Sequence, residues 1–270
     1  MIGPLVRREI RDAIRRYWFV VNAVVFASAG LLLMLFGQSD VMVLGYRGFA
    51  RSLAGLMHLA LVFVPLMAII PAVVAISGER ETGTLDYILA QPVTASQVFA
   101  SKWLGVATAV LISVLIGLGI TGVVALARGV PGALIFSLLA LTLLLAAAFV
   151  SIGLFVSSFT ASRTRATSIG LTVWLILLGL GTLGIMSSFV QWGLQPTLLQ
   201  VWAVINPIEA YRLAGITIMD PSATSLGAVG QALLGRFGQT GVVALAGASM
   251  IGWCVGGLVA GKRLFSSRAL

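Results

Sequence analysis

Six stretches of the chain contain no Lys, Arg, Asp or Glu: Trp18–Gly37, Leu53–Ser77, Trp103–Ala127, Ala133–Phe159, Ala166–Val190 and Gly238–Gly261. Each reaches or exceeds the ~20 residues that an α-helix needs to cross a hydrocarbon core ~30 Å thick. Buried helices of a soluble core do not account for runs of this length. The pattern predicts an all-α membrane protein with six transmembrane helices, at about 18–37, 53–77, 103–127, 133–159, 166–190 and 238–261, in a single domain over 1–270.

The connecting segments carry their own patterns. Over 4–17, Val6, Ile10, Ala13, Ile14 and Tyr17 fall on one arc of a helical wheel, while arginines, Glu9 and Asp12 fill the rest. This predicts an amphipathic helix lying in the membrane interface. Pro65 and Pro71 make the second span the expected site of a bend, since each removes a backbone donor and crowds the preceding turn. Between the fifth and sixth spans, 191–237 is the longest extramembrane segment; its apolar middle, Leu198–Ile205, is too short to cross and Asn206-Pro207 forces a turn. A re-entrant or surface-lying helical segment on the outer face is expected. In the last span Gly252 and Gly256, and likewise Gly257 and Gly261, are four residues apart, a spacing that permits close helix approach, within the chain in the first instance.

Composition agrees with a membrane environment: 59% of the residues are hydrophobic and 9% charged, against roughly 45–50% and about 25% in soluble domains. The net charge of +9 does not form one patch of the kind that binds nucleic acid. Only Arg47, Arg51, Arg128, Arg212 and Arg236 fall on one side of the predicted membrane. Arg7, Arg8, Arg11, Arg15, Arg16, Arg80, Lys102, Arg163, Arg165, Lys262, Arg263 and Arg268 fall on the other. The excess of Lys and Arg on cytoplasmic loops places the latter side, and both termini, in the cytoplasm.

Candidate chemistry is sparse. Cys254 is single, which rules out a disulfide framework. Ala27-Ser28-Ala29 resembles a signal-peptidase site, but the apolar run continues to full spanning length. His58 is the only histidine and reads as a packed or hydrogen-bonded residue of the second span. Met34, Met57, Met67, Met186, Met219 and Met250 are scattered, whereas soft copper ligands have to converge; no metal site and no catalytic residue is expected. All eight acidic residues lie outside the six spans, which weighs against a proton-coupled carrier and less against a sodium-coupled one. The run Gly256-Gly257-Leu258-Val259-Ala260-Gly261-Lys262 begins like a phosphate-binding loop, but Arg263 stands where Ser or Thr is required. Energy for any work must then come from another chain, unless the protein is an ion-coupled secondary carrier or a structural anchor.

The segment 78–102, between the second and third spans, carries the strongest signal. It contains Gly78, Glu79, Arg80, Glu81, Gly83, Thr84, Leu85, Asp86, Leu89 and Pro92, and ends at Lys102. Gly83 supplies a break, Thr84 is placed to cap a short helix with Asp86 in its first turn, and Leu85, Ile88 and Leu89 form an apolar edge that Pro92 ends. That edge is suited to a soluble partner. A second loop on the same side, Thr160–Arg165, contributes Arg163 and Arg165. On the opposite side, Trp202, Asn206, Pro207, Glu209, Tyr211 and Arg212 combine aromatic and charged groups on a helix too short to span, and are expected to contact cargo or an extracytoplasmic partner.

The run Glu79-Arg80-Glu81-Thr82-Gly83-Thr84-Leu85-Asp86, followed by Pro92-Val93-Thr94 and Lys102, resembles the coupling-loop signature of ABC-2-type permeases, the membrane subunits of ATP-driven exporters. The order of elements extends the resemblance over essentially the whole chain. It implies the type-II exporter fold, a prokaryotic inner-membrane location and a separate ABC ATPase in two copies that holds ATP and Mg, with the permease itself non-catalytic. Leu44-Gly45-Tyr46 with Ser52-Leu53-Ala54, the loop from Gly78 to Leu89, and Asn206–Leu213 resemble the branch that serves nitrous oxide reductase maturation. That likeness implies a second permease copy in a homodimer, a periplasmic partner and copper-site assembly as the process served. Export of a drug, lipid or polysaccharide is the alternative within the family.

Overall fold

The computed structural model describes residues 7, 11, 17–36, 50–182, 196–219 and 226–268. Most of the expected interfacial helix, the run Leu44-Gly45-Tyr46 and the last eight residues of the fifth apolar stretch lie outside them. The described residues form α1 (Tyr17–Phe36), α2 (Ala50–Glu81), α3 (Thr84–Leu89), α4 (Ala95–Ala127), α5 (Gly132–Phe159), α6 (Arg163–Thr182), α7 (Pro196–Ile205), α8 (Pro207–Met219) and α9 (Gly227–Arg268). Four helices are long and apolar enough to cross a membrane, over Ser52–Glu81, Ala95–Ala127, Gly132–Phe159 and Gly227–Ser267; α1 adds the shorter apolar run Phe19–Leu35.

The helices outrun the charge-free stretches. α2 continues through Gly78–Glu81, and α4 begins seven residues before Lys102, so most of the segment expected as a loop over 78–102 is helical. The reason is local: Thr94 and Gln97 form a reciprocal capping box that starts α4 well before the apolar run. At the other end of the chain, α9 is broken at Gly238, whose φ of 68° interrupts the helix where the last charge-free stretch begins.

The core is the α2–α5 pair, flanked by α9 against α5, α4 against α1 and α6 against α2. Close approach depends on small residues: a Cβ on Gly153 of α5 would lie 2.6 Å from the Ala72 Cβ and 3.0 Å from the Ile69 carbonyl oxygen of α2. Both Pro65 and Pro71 lie inside the continuous helix α2. One turn beyond Pro71 the ladder is altered by a neighbour. The Ser157 hydroxyl of α5 accepts from the N–H groups of Ile76 and Ser77 at 3.0 and 2.9 Å and donates to the Val73 carbonyl oxygen at 2.7 Å. His58 does not enter the core; it is exposed on α2 and its Nδ1 bonds the Ala54 carbonyl oxygen of its own helix at 2.8 Å.

Candidate functional site

The last turn of α2 points three consecutive charged side chains at three different helices, because successive helical residues are rotated by ~100°. Glu79 forms an ion pair with Lys102 of α4, whose side chain is almost wholly buried. Arg80 donates to the carbonyl oxygens of Thr160 and Ser158 at 2.6 and 3.2 Å, at the C-terminal end of α5. Glu81 accepts from the backbone N–H of Arg163 at 2.9 Å, at the first turn of α6. A cation thus meets the carbonyl end of one helix and a carboxylate the N–H end of the next, each matching the local helix dipole. Gly78 makes room for this junction: a Cβ there would lie 2.9 Å from the Arg163 Nε. Arg165 is exposed in the first turn of α6.

Gly83, with φ of 71°, reverses the chain after α2 and itself occupies the cap position of α3. Thr84 therefore does not cap the helix as expected; it is the first helical residue and its hydroxyl bonds that of Thr82 at 2.9 Å. The apolar edge is also turned the other way. Leu85 and Ile88 are 3% and 2% exposed and belong to the core, Leu89 is half-buried, and Tyr87 is 74% exposed. With only six residues, α3 must spend its apolar face on the end of α2 to stay folded at all. What it presents outward is Thr84, Asp86 and Tyr87, with Gln91 and Pro92 following. Tyr87 is the residue that sequence reasoning missed, since its position within the apolar run gave no indication of which face was free.

At the opposite end, α7 and α8 meet at Asn206. Its Oδ1 accepts from the Ile208 N–H at 3.0 Å, capping α8, and its Nδ2 donates to the Leu177 carbonyl oxygen of α6 at 2.7 Å. α8 packs against α9, α5 and α2. Asn206, Pro207, Glu209 and Tyr211 are consequently buried, which corrects the expectation that they form a contact surface. Tyr211 bonds the Thr142 hydroxyl at 3.0 Å and Glu209 pairs with Arg212 at 2.5 Å. Only Arg212 and Trp202 of that group keep partial exposure.

Long apolar helices joined at one end by a charged junction, beside a short helix with one exposed polar face, define a multi-pass membrane protein. The chain belongs to the ABC-2 family of transporter proteins, whose family model, described as ABC-2 family transporter protein, matches residues 4–270. It is 28% identical over 231 residues to the probable ABC transporter permease protein NosY of Pseudomonas aeruginosa, covering 83% of this chain and 84% of that one. It is 26% identical over 234 residues to the protein of the same name from Stutzerimonas stutzeri, covering 84% of this chain and 85% of that one.

Proposed function

We propose that this permease receives motion from a separate ABC ATPase, which holds ATP and Mg, at the end of the bundle carrying α3, and transmits it across the membrane as transport or force. The observation that carries this reading is the junction itself. α3 is bonded through Gly83 to the one turn of α2 whose Glu79, Arg80 and Glu81 reach α4, α5 and α6. A push on α3 is thereby delivered to four helices at once. The distribution of basic residues supports placing this end, and both termini, in the cytoplasm of a prokaryotic cell. A second copy of the permease and two copies of the ATPase complete the assembly. Copper-site maturation of nitrous oxide reductase, with a periplasmic partner, is the service implied by the likeness of 44–54, 78–89 and 206–213 to that branch.

Copurification of the ATPase with permease variants tests the reading. Tyr87→Ala removes an exposed aromatic anchor; such anchors contribute ~2 kcal/mol or more to an interface, about thirtyfold in affinity. It should lower ATPase recovery while membrane abundance stays unchanged. Leu85→Asp should instead lower abundance, because Leu85 is interior. Recovery at the wild-type level from the double variant Asp86→Ala, Tyr87→Ala would remove α3 as the docking element.

A further inference from the structure

We infer that the groove between α5, α6, α7 and α9 is a binding site for one anionic phospholipid, with an acyl chain in the groove and its phosphate at Arg165 and Arg263. The groove is open on one side and has a volume of about 750 Å³, within the ~300–1,000 Å³ of small-ligand sites. It runs from Ile205, beside the α7–α8 break, to Phe159 and Ala260 at the end of the bundle that carries the charged junction. Among the described residues that line it, the polar side chains are already engaged. Ser249 and Trp253 both donate to the Ile205 carbonyl oxygen, at 3.3 and 2.7 Å. A polar ligand would find no donor in it, whereas an alkyl chain needs none. Gly252 and Gly256 open the wall, with nothing within 4 Å of a Cβ built on either; among the described residues this face is not used for packing within the chain, contrary to the expectation from its spacing.

The mouth of the groove supplies the charge. On α6, Arg165 precedes the lining residue Ile169 by four positions; on α9, Arg263 follows the lining residue Ala260 by three. Residues three and four apart share a helix face, so Arg165 and Arg263 continue the lining faces of α6 and α9 beyond the groove at that end of the bundle. Both are exposed. Among the described residues at that end, Glu79 pairs with Lys102 and Glu81 with Arg163. Arginine pairs bind phosphate oxygens in bidentate fashion, and basic pockets between membrane helices take anionic headgroups. The orientation proposed above enters only in naming the leaflet, which is the cytoplasmic one.

The test uses the full chain in phosphatidylcholine vesicles containing phosphatidylglycerol with brominated acyl chains, or brominated phosphatidylcholine as the neutral control. Quenching is assigned to the groove as the part lost in Trp253→Phe. Each arginine near the headgroup contributes about fivefold in affinity, so half-quenching should need at least about fivefold less phosphatidylglycerol than phosphatidylcholine. Arg165→Ala with Arg263→Ala should bring the ratio to about one, and the paired Lys substitutions should keep most of the preference. Lys262→Ala removes a charge from the same turn of α9 but from the neighbouring face, and should leave the ratio unchanged. An equal loss in Lys262→Ala, or a preference that survives the double Arg variant, would reduce the effect to general surface charge and overturn the site. Absence of quenching by either lipid, with a cysteine at Gly252 crosslinking to a second copy, would show that the groove is a permease–permease interface instead.

Discussion

Arg80 and Thr160 stand 80 positions apart, yet the guanidinium of the first donates to the carbonyl oxygen of the second at 2.6 Å. With the bond to Ser158, this side chain supplies donors to the last turn of α5, whose carbonyls lack intrahelical partners. Hydrogen bonds from charged groups contribute ~1.5–3 kcal/mol each. Arg80→Ala should therefore lower the thermal midpoint of the purified chain by several degrees, measured in detergent. Arg80→Lys should recover only part, because an ammonium does not reproduce the two-pronged geometry. An unchanged midpoint in Arg80→Ala would mean that water replaces the side chain at no cost.

The Glu79–Lys102 pair is the buried member of the junction, with side chains 22% and 4% exposed. Removing one partner of such a pair leaves an uncompensated charge and typically costs ~3–5 kcal/mol, whereas apolar replacement of both is often near neutral. Glu79→Leu and Lys102→Met should each reduce stability more than the two together. A double-mutant cycle on the thermal midpoint reads this directly; simple additivity of the two losses would contradict the pairing.

The membrane helices were legible because charge exclusion over 20 or more residues has few other causes. Their ends were not, since amphipathic turns such as Gly78–Glu81 and Ala95–Lys102 contain the same charged residues as a loop. The capping pair Thr94 and Gln97 was the available signal for the start of α4. The importance of 78–92 was visible from its residue pattern, but the facing of α3 was not. A six-residue helix with Leu85, Ile88 and Leu89 on one edge can turn that edge to its own bundle or to a partner, and only tertiary packing decides. Asn206-Pro207 was read correctly as a break, while the burial of Glu209 and Tyr211 depended on α8 entering the bundle. A charged residue next to an aromatic one suggested a surface; the ion pair with Arg212 and the bond to Thr142 are what allow them inside.

The two glycine pairs of α9 make a contrast that stability measurements can resolve. A Cβ on Gly257 would lie 2.9 Å from the backbone carbon and oxygen of Ser151, and neither can move without moving α5. Gly257→Ala should cost ~1–3 kcal/mol as overpacking. At Gly252 a Cβ meets nothing within 4 Å, and alanine favours the helix by up to ~1 kcal/mol. Gly252→Ala should accordingly leave the thermal midpoint unchanged or slightly raised. The reverse order of effects would show that α9 packs on the bundle through its other face.

Ser157 provides the test of how motion passes along α2. The Ser157 hydroxyl accepts from the Ser77 N–H and donates to the Val73 carbonyl oxygen, which is the acceptor four residues back from that N–H in a regular helix. The Ser77 hydroxyl also bonds Val73 at 2.7 Å. An inserted side chain of this kind, one turn past Pro71, is a recognised cause of helix irregularity. It lies between the membrane part of α2 and the turn that holds the junction, so it sets how stiffly one follows the other. In Ser157→Ala the Ile76 and Ser77 N–H groups still have carbonyls within their own helix, and the loss of stability should stay below ~1 kcal/mol, less than the ~1–3 kcal/mol of an orphaned buried group. In the complex with the ATPase, hydrolysis should persist while its response to the permease changes, because the connection has been altered and the docking surface has not. A large loss of stability with an unaltered ATPase response would instead make Ser157 an ordinary buried hydrogen-bonding residue, and the flexing of α2 would have to be sought at Pro65 and Pro71 alone.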